Sequence, residues 1–254
     1  VHLLLILLLF FVIIMIKKLF HTFFLVFIIP KMLIAQEKVN FSVPPNPNVR
    51  HVNFELIAPE GLSYLYPSIN PNILTIHTHL KKDGLSPKFS SSCTKGIENI
   101  NFQIQNKVSK AQNMGEDKIV ISLMDLGKKK QIKVNTKEQN RCNIYLNKNY
   151  PYSFNLNYAH GESYINLSDL STELLTVNAG NARVTIDYKK INRVQMSLFS
   201  VKVGAGSVSI NNMNFARTNF FSADIVYGSL DLNFSTACEM SSKYEIKVGA
   251  GTLK

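Results

Sequence analysis

Val201-Lys202-Val203-Gly204-Ala205-Gly206-Ser207-Val208-Ser209-Ile210 places apolar residues at every second position, in two short runs of opposite parity with a glycine between them. Ile246-Lys247-Val248-Gly249-Ala250-Gly251-Thr252-Leu253 repeats the arrangement. Working outward, a glycine returns at Gly161, Gly180, Gly206, Gly228 and Gly251, at intervals of 19 to 26 residues. Five residues before each stand Leu156, Leu175, Val201, Ala223 and Ile246, and three before stand Tyr158, Val177, Val203, Ile225 and Val248. Two after come Ser163, Ala182, Val208, Leu230 and Leu253, and four after come Ile165, Val184, Ile210 and Leu232. A recurring unit of this size with alternating apolar positions marks a stacked β-repeat. Inward positions fall at odd offsets before the glycine and even offsets after it. The chain therefore slips by one residue there, and each repeat reads as strand, glycine corner, strand and connector.

Glycine-rich turns also cradle phosphates, so the two Gly-Ala-Gly stretches need weighing. A dinucleotide fingerprint requires a third glycine and a following helix, and a phosphate loop requires Gly-Lys-Ser or Gly-Lys-Thr. Neither is present, and strand-like sequence follows each glycine. The reading is of structural corners, with no cofactor.

The 254 residues suffice for one or two domains, and the formal net charge is +11. The excess sits in residues 37–157, with 16 Lys and Arg against 9 Asp and Glu, a net of +7. Residues 158–254 carry 9 against 8, a net of +1. The densest cluster, Lys128-Lys129-Lys130 with Lys133, reads as a solvated hairpin turn. No aromatic residues interleave with it as a stacking platform would require, which argues against nucleic acid as a partner.

Residues 1–36 read as a signal peptide or membrane anchor. Translation from Met15 gives a basic start at Lys17-Lys18, an apolar core over Thr22–Ile29 and a small residue at Ala35. Kept as one span, residues 1–29 would place two lysines in hydrocarbon at a cost of a few kcal/mol each. Residues 37–155 read as a small antiparallel β-domain. Its strand-length runs are Val52–Ile57, Ile73–His79, Ile100–Gln105, Lys118–Leu123, Gln131–Val134 and Cys142–Leu146, separated by turns such as Pro59-Glu60-Gly61. Cys93 and Cys142 lie in this region and are a candidate disulfide, which leaves Cys238 as a small apolar residue in the repeats. His77 and His79 alternate on one strand and face one side, which suits two metal ligands but lacks a third at supporting spacing.

In the last third, residues 156–254, Asn166-Leu167-Ser168-Asp169-Leu170, Leu175-Thr176-Val177-Asn178-Ala179-Gly180 and Ala182-Arg183-Val184-Thr185-Ile186-Asp187 resemble the exported toastrack adhesin-like domains of unknown function. The later Gly-Ala-Gly-Ser-Val-Ser-Ile and Gly-Ala-Gly-Thr-Leu stretches match the same pattern. The resemblance extends to the carboxy-terminal domain of cell-envelope stress-response proteins and the head domain of autotransporter adhesins. It implies a single-stranded right-handed β-solenoid, here of about five rungs, on an exported envelope or surface protein, and it carries no catalytic residues. The expected function is non-catalytic: adhesin-like binding or envelope sensing through exposed residues such as Asn178, Asn181, Asn211, Asn212, Asn214, Arg183 and Lys202. The partner is left open among a glycan, an envelope component and another protein chain. The alternatives are a β-helix enzyme acting on polysaccharide and a structural protein that self-associates through its last strand edge. Asp187, Asp231, Asp169 and Asp224 are the acids such an enzyme would draw on, and their offsets within the repeats do not stack.

Overall fold

β-branched and aromatic residues alternate along this chain with Asn, Ser and Thr, which suits strands with one buried and one solvated face. The computed structural model describes residues 36–81, 85–106, 140–235 and 242–254. They form fifteen strands and a short 3-10 turn at Met213–Ala216. In chain order the strands are β1 (Gln36–Val43), β2 (His51–Ala58), β3 (Leu62–Ser68), β4 (Leu74–Lys81), β5 (Leu85–Thr94), β6 (Ile97–Asn106), β7 (Arg141–Asn147), β8 (Pro151–Asn166), β9 (Ser171–Asp187), β10 (Met196–Val203), β11 (Ser207–Asn211), β12 (Thr218–Ile225), β13 (Ser229–Leu232), β14 (Lys243–Val248) and β15 (Thr252–Leu253). The leader reading, the expected strands Lys118–Leu123 and Gln131–Val134, the Lys128–Lys130 cluster with Lys133, and Cys238 lie outside the described residues.

The pairings build two layers. In the first, β5, β6, β2, the front half of β8, the front half of β9, β10, β12 and β14 follow one another. In the second, the order is β1, β4, β7, β3, the back halves of β8 and β9, β11, β13 and β15. Each level of the stack takes one strand from each layer: β10 turns a corner into β11, β12 into β13 and β14 into β15, while β8 and β9 run through both layers unbroken. The burial pattern changes parity at each corner. On β9, Leu175, Val177 and Ala179 point inward, and past the corner so do Ala182, Val184 and Ile186.

The stack is all β, and it extends further towards the amino terminus than the five glycine repeats. β2 and β3 form a level around Pro59-Glu60-Gly61 and pair in parallel with β8. β6 and β7 form another, parallel to β2 and β3. The boundary expected at 155/156 therefore does not separate two bodies. It falls inside β8, and Glu37–Lys254 is one compact unit. The region expected to be an antiparallel domain is antiparallel at its far end, where β4 meets β7 and β5 meets β6. The β5–β6 hairpin turns at Lys95 and Gly96, both with positive φ, as a two-residue turn matched to the twist of its strands requires.

Like positions stack into ladders about 4.8 Å apart. Ile100, Phe54, Phe154, Leu175, Phe199, Phe221 and Tyr244 form one such ladder along the first layer. Leu65, Ile165, Ile186, Ile210 and Leu232 form another along the second. In the first ladder Phe54, Phe154, Leu175, Phe199 and Phe221 are at most 1% exposed, and in the second so are Leu65, Ile165, Ile186 and Ile210. Each contributes about 1.5–3 kcal/mol by burial. Tyr152 crosses the interior, its hydroxyl donating to the carbonyls of Ile73 (2.9 Å) and Asn147 (2.8 Å).

The corner column corrects the sequence alignment at one position. Gly161 pairs with Ala182, not with Gly180. Gly206 lies beside Ala182, Gly228 beside Gly206 and Gly251 beside Gly228, while Gly161 lies beside Gly61. The corner column is thus Gly61, Gly161, Ala182, Gly206, Gly228 and Gly251. Gly180 belongs to a second column two residues earlier, with Ala159, Gly204, Val226 and Gly249 as its neighbours in turn. The reason for glycine also differs along the corner. Gly61 and Gly161 have φ of 108° and 100°, where other residues are strained. Gly206, Gly228 and Gly251 are instead required by close approach, since an added Cβ would meet the backbone carbonyl of the preceding level.

Candidate functional site

The two outer faces carry different chemistry. On the first layer, register places short polar side chains side by side across the strands. Asn53 is opposite Asn99, and Glu55 stands between Asn101 and Asn155. The Glu55 carboxylate accepts from Asn101 Nδ2 at 2.6 Å and from Asn155 Nδ2 at 2.9 Å. Asn53 donates to Asn99 at 2.9 Å, and Asn178 donates to Asn157 at 2.6 Å. A groove of about 560 Å³ opens over this surface, lined by Asn53, Glu55, Ser90, Asn101, Ser153 and Asn155 among others. At one side of it His51 lies between two partners. Its Nε2 is 2.9 Å from Ser153 Oγ, and its Nδ1 is 3.3 Å from Glu173 Oε2.

The second layer presents aromatic rings. Tyr64 is opposite Tyr164 and Tyr66 is opposite Tyr145. The ring centroids of Tyr64 and Tyr164 are 5.5 Å apart with planes 10° from parallel, and those of Tyr64 and Tyr66 are 6.1 Å apart at 11°. Tyr66 and Tyr145 continue the array at 6.2 Å, and His77 meets Tyr145 edge-on at 5.6 Å. The Arg141 guanidinium lies 5.6 Å from the Tyr64 ring centre. Tyr164, at the end of the array, is 41% exposed. Its neighbour on β9 is Thr185, a small side chain that leaves a step beside the ring. Burial, then the neighbouring Tyr64 and Tyr145 hydroxyls, holds the Tyr66 hydroxyl above its ordinary pKa, against Arg141. Glu162 and Arg183, paired at 3.3 Å, border the step.

The surface residues expected to bind a partner hold the stack together in several cases. Asn211 accepts from Asn233 at 3.1 Å, Asn212 donates to the Tyr188 carbonyl at 2.8 Å, and Asn214 accepts from the Ser235 amide at 3.2 Å. Each bond joins one level to the next. Lys202 and Asn181 are exposed. The acids do not converge. Asp169 pairs with Lys190 at 3.0 Å, which holds its carboxyl below the usual range. Asp187 lies on the second layer beside Asn211, whereas Asp224 lies on the first beside Lys202. His77 and His79 share the outer side of β4, and His77 Nδ1 is 2.8 Å from Asn40 Oδ1.

The expected disulfide is absent: Cys93 and Cys142 are both free thiols. Cys93 is exposed on β5 in the first layer, and Cys142 is buried on β7 in the second, so their side chains do not meet. Burial pushes the Cys142 thiol far above its ordinary pKa. Iodoacetamide at pH 8 is therefore expected to modify Cys93 in the native protein and Cys142 only after unfolding, as peptide mass mapping would read; equal native labelling would contradict this placement.

Parallel levels, glycine corners and outward polar ladders define a β-stack of the toastrack class. Residues 75–211 match the family model for the N-terminal domain of toast_rack, DUF2154, and the chain belongs to this family. Its fold is similar to that of a "putative cell adhesion protein" from Clostridium sporogenes ATCC 15579, with TM-score 0.56 and 14% identity over 86% of this chain and 97% of the other. A "putative adhesin" from Parabacteroides merdae ATCC 43184 aligns at 12% identity over 86% of this chain and 95% of the other, with TM-score 0.19. No curated protein matches the sequence.

Proposed function

We propose that the protein is exported and acts at the cell envelope or surface as an adhesin-like module that binds saccharide through the tyrosine array of its second layer. The apolar, lysine-broken segment at residues 1–36 supports export. The name borne by the structurally similar clostridial protein is consistent with adhesion. The observation that carries the reading is the exposed ring of Tyr164 at the end of the stacked tyrosines, above the step at Thr185. The apolar C–H face of a pyranose packs against such a ring, whose face is electron-rich. Arg141 over the adjoining Tyr64 ring, and the Glu162–Arg183 pair beside Thr185, supply donors and acceptors suited to hydroxyl groups. Rings already fixed by their neighbours lose little freedom on binding, which favours recognition by a rigid surface. Binding at this face needs no chemical step.

Glycan-array screening followed by calorimetry tests the reading. Tyr164→Ala is expected to weaken saccharide binding about tenfold, the equivalent of about 1.4 kcal/mol. A protein that binds no saccharide, or whose affinity is unchanged in Tyr164→Ala and Tyr64→Ala, would contradict it.

A further inference from the structure

On the opposite layer, the polar groove has at its side three groups in the order that acyl-transfer chemistry uses. Ser153 Oγ is 2.9 Å from His51 Nε2, and Glu173 Oε2 is 3.3 Å from His51 Nδ1. We propose that Ser153, His51 and Glu173 form a hydrolytic triad that removes ester-linked acyl groups from saccharides bound in the groove. The inference is independent of the tyrosine face and departs from the expectation of a non-catalytic protein.

Four observations carry it. First, the two ring nitrogens of His51 are taken by different partners, a hydroxyl on one and a carboxylate on the other. That connectivity makes the ring a base towards the serine while the acid fixes its orientation. Second, the chain departs from regular pairing beside Ser153, so that two consecutive residues share this face. Tyr152 pairs with Thr172 but Ser153 pairs with Leu174, so Glu173 is an extra residue in a β-bulge. Glu173 and Leu174 are both partly exposed while Thr172 and Leu175 are buried. Third, the His51 side chain is only 19% exposed, whereas Ser153 lines an open groove of about 560 Å³, within the size range of small-ligand sites. Fourth, Asn53 stands directly opposite Ser153, with one N–H of its amide committed to Asn99. Asn53 also lines the groove, and its second N–H is a side-chain donor that could serve the oxyanion of an attacked carbonyl.

The lining selects the substrate class. Asn53, Asn101, Asn155, Ser90 and the Glu55 carboxylate match the alternating donors and acceptors of a polyhydroxylated chain. Both Glu55 oxygens are held by asparagine amides, so glycosidic cleavage by a carboxylate pair is not provided for here. In the first half-reaction Ser153 Oγ bonds to the ester carbonyl carbon as its proton passes to His51 Nε2. The bond from that carbon to the sugar oxygen then breaks, and the sugar oxygen takes the proton. Water repeats the sequence on acyl-Ser153, releasing a carboxylic acid and restoring the hydroxyl. Glu173 acts as a positioning residue through His51.

A fluorophosphonate probe on the full chain, with peptide mapping, reads the nucleophile directly, and acetate release from acetylated xylan reads turnover. An adduct on Ser153 is expected. Ser153→Ala and His51→Ala are each expected to lower acetate release by about a thousandfold or more. Glu173→Gln should lower kcat with KM little changed, a split that a purely structural contact would not give. Failure of the wild-type protein to form an adduct on Ser153, a measurement that needs no variant, would overturn the proposal. So would acetate release that is unaltered in Ser153→Ala. Retained saccharide binding alongside either result would leave the tyrosine reading standing and this one overturned.

Discussion

Gly161→Ala is expected to destabilise the protein by about 3–5 kcal/mol, more than any other single methyl group added along the stack. Two costs combine. The backbone at Gly161 has φ of 100°, where a residue with a Cβ is strained by about 1–3 kcal/mol. The new methyl would also overlap the carbonyl oxygen and amide nitrogen of Gly61 on the adjoining level. Those are backbone atoms within a parallel ladder, since Glu162 N donates to Gly61 O at 3.0 Å, so relief would separate two levels. Overpacking of this kind costs about 1–3 kcal/mol by itself. Against a total stability of about 5–15 kcal/mol, the sum would shift the urea midpoint strongly.

Asn192→Ala is expected to cost about 3 kcal/mol. Asn192 is fully buried in the connector after β9, where it fixes three backbone groups at once. Its Oδ1 accepts from Thr172 N at 2.9 Å, and its Nδ2 donates to the carbonyls of Thr172 at 2.7 Å and Ala216 at 3.2 Å. One side chain thus ties the start of β9 to the connector two levels away. Alanine removes all three bonds where water cannot replace them, and each buried group left unpaired costs about 1–3 kcal/mol. Urea unfolding with an unchanged slope and a lowered midpoint is the expected result; a loss below about 1 kcal/mol would mean that water reaches the connector.

The all-β stack was legible because apolar alternation survives in every level, and because Gly206, Gly228 and Gly251 recur at nearly constant spacing. Two features hid the rest. The first is the period of a strand. Aligning Gly180 with Gly161 slips β9 by two residues, and a slip of two leaves every side chain on its proper face. Leu175 and Val177 are both inward, so alternation could not tell their ladders apart; only pairing separates Phe154–Leu175 from Leu156–Val177. The second is non-local insertion. Gly61 neighbours Gly161 in the stack, yet many strands intervene in the chain, so no period connects them. On the level of β7 the residue beside Gly61 is Asn140, not glycine, so no glycine spacing reports it. The alternation Tyr64-Leu65-Tyr66 went unread, and that these rings meet Tyr164 and Tyr145 depends on the same hidden pairings. Ser153, His51 and Glu173 lie on three strands, with the serine and the histidine 102 positions apart, and no spacing rule brings them together.

The register of β8 against β9 underlies the corner column, both outer faces and the bulge at Glu173. Paired urea denaturation of Gly161→Ala and Gly180→Ala tests it most directly. Gly180 has no positive φ, and an added methyl there would come no closer than 3.1 Å to the Ala159 carbonyl oxygen, a contact relieved by a small shift. The account predicts a loss of about 3–5 kcal/mol for Gly161→Ala and under about 1 kcal/mol for Gly180→Ala. Equal losses at the two glycines would contradict it, because both would then be corners of the same column.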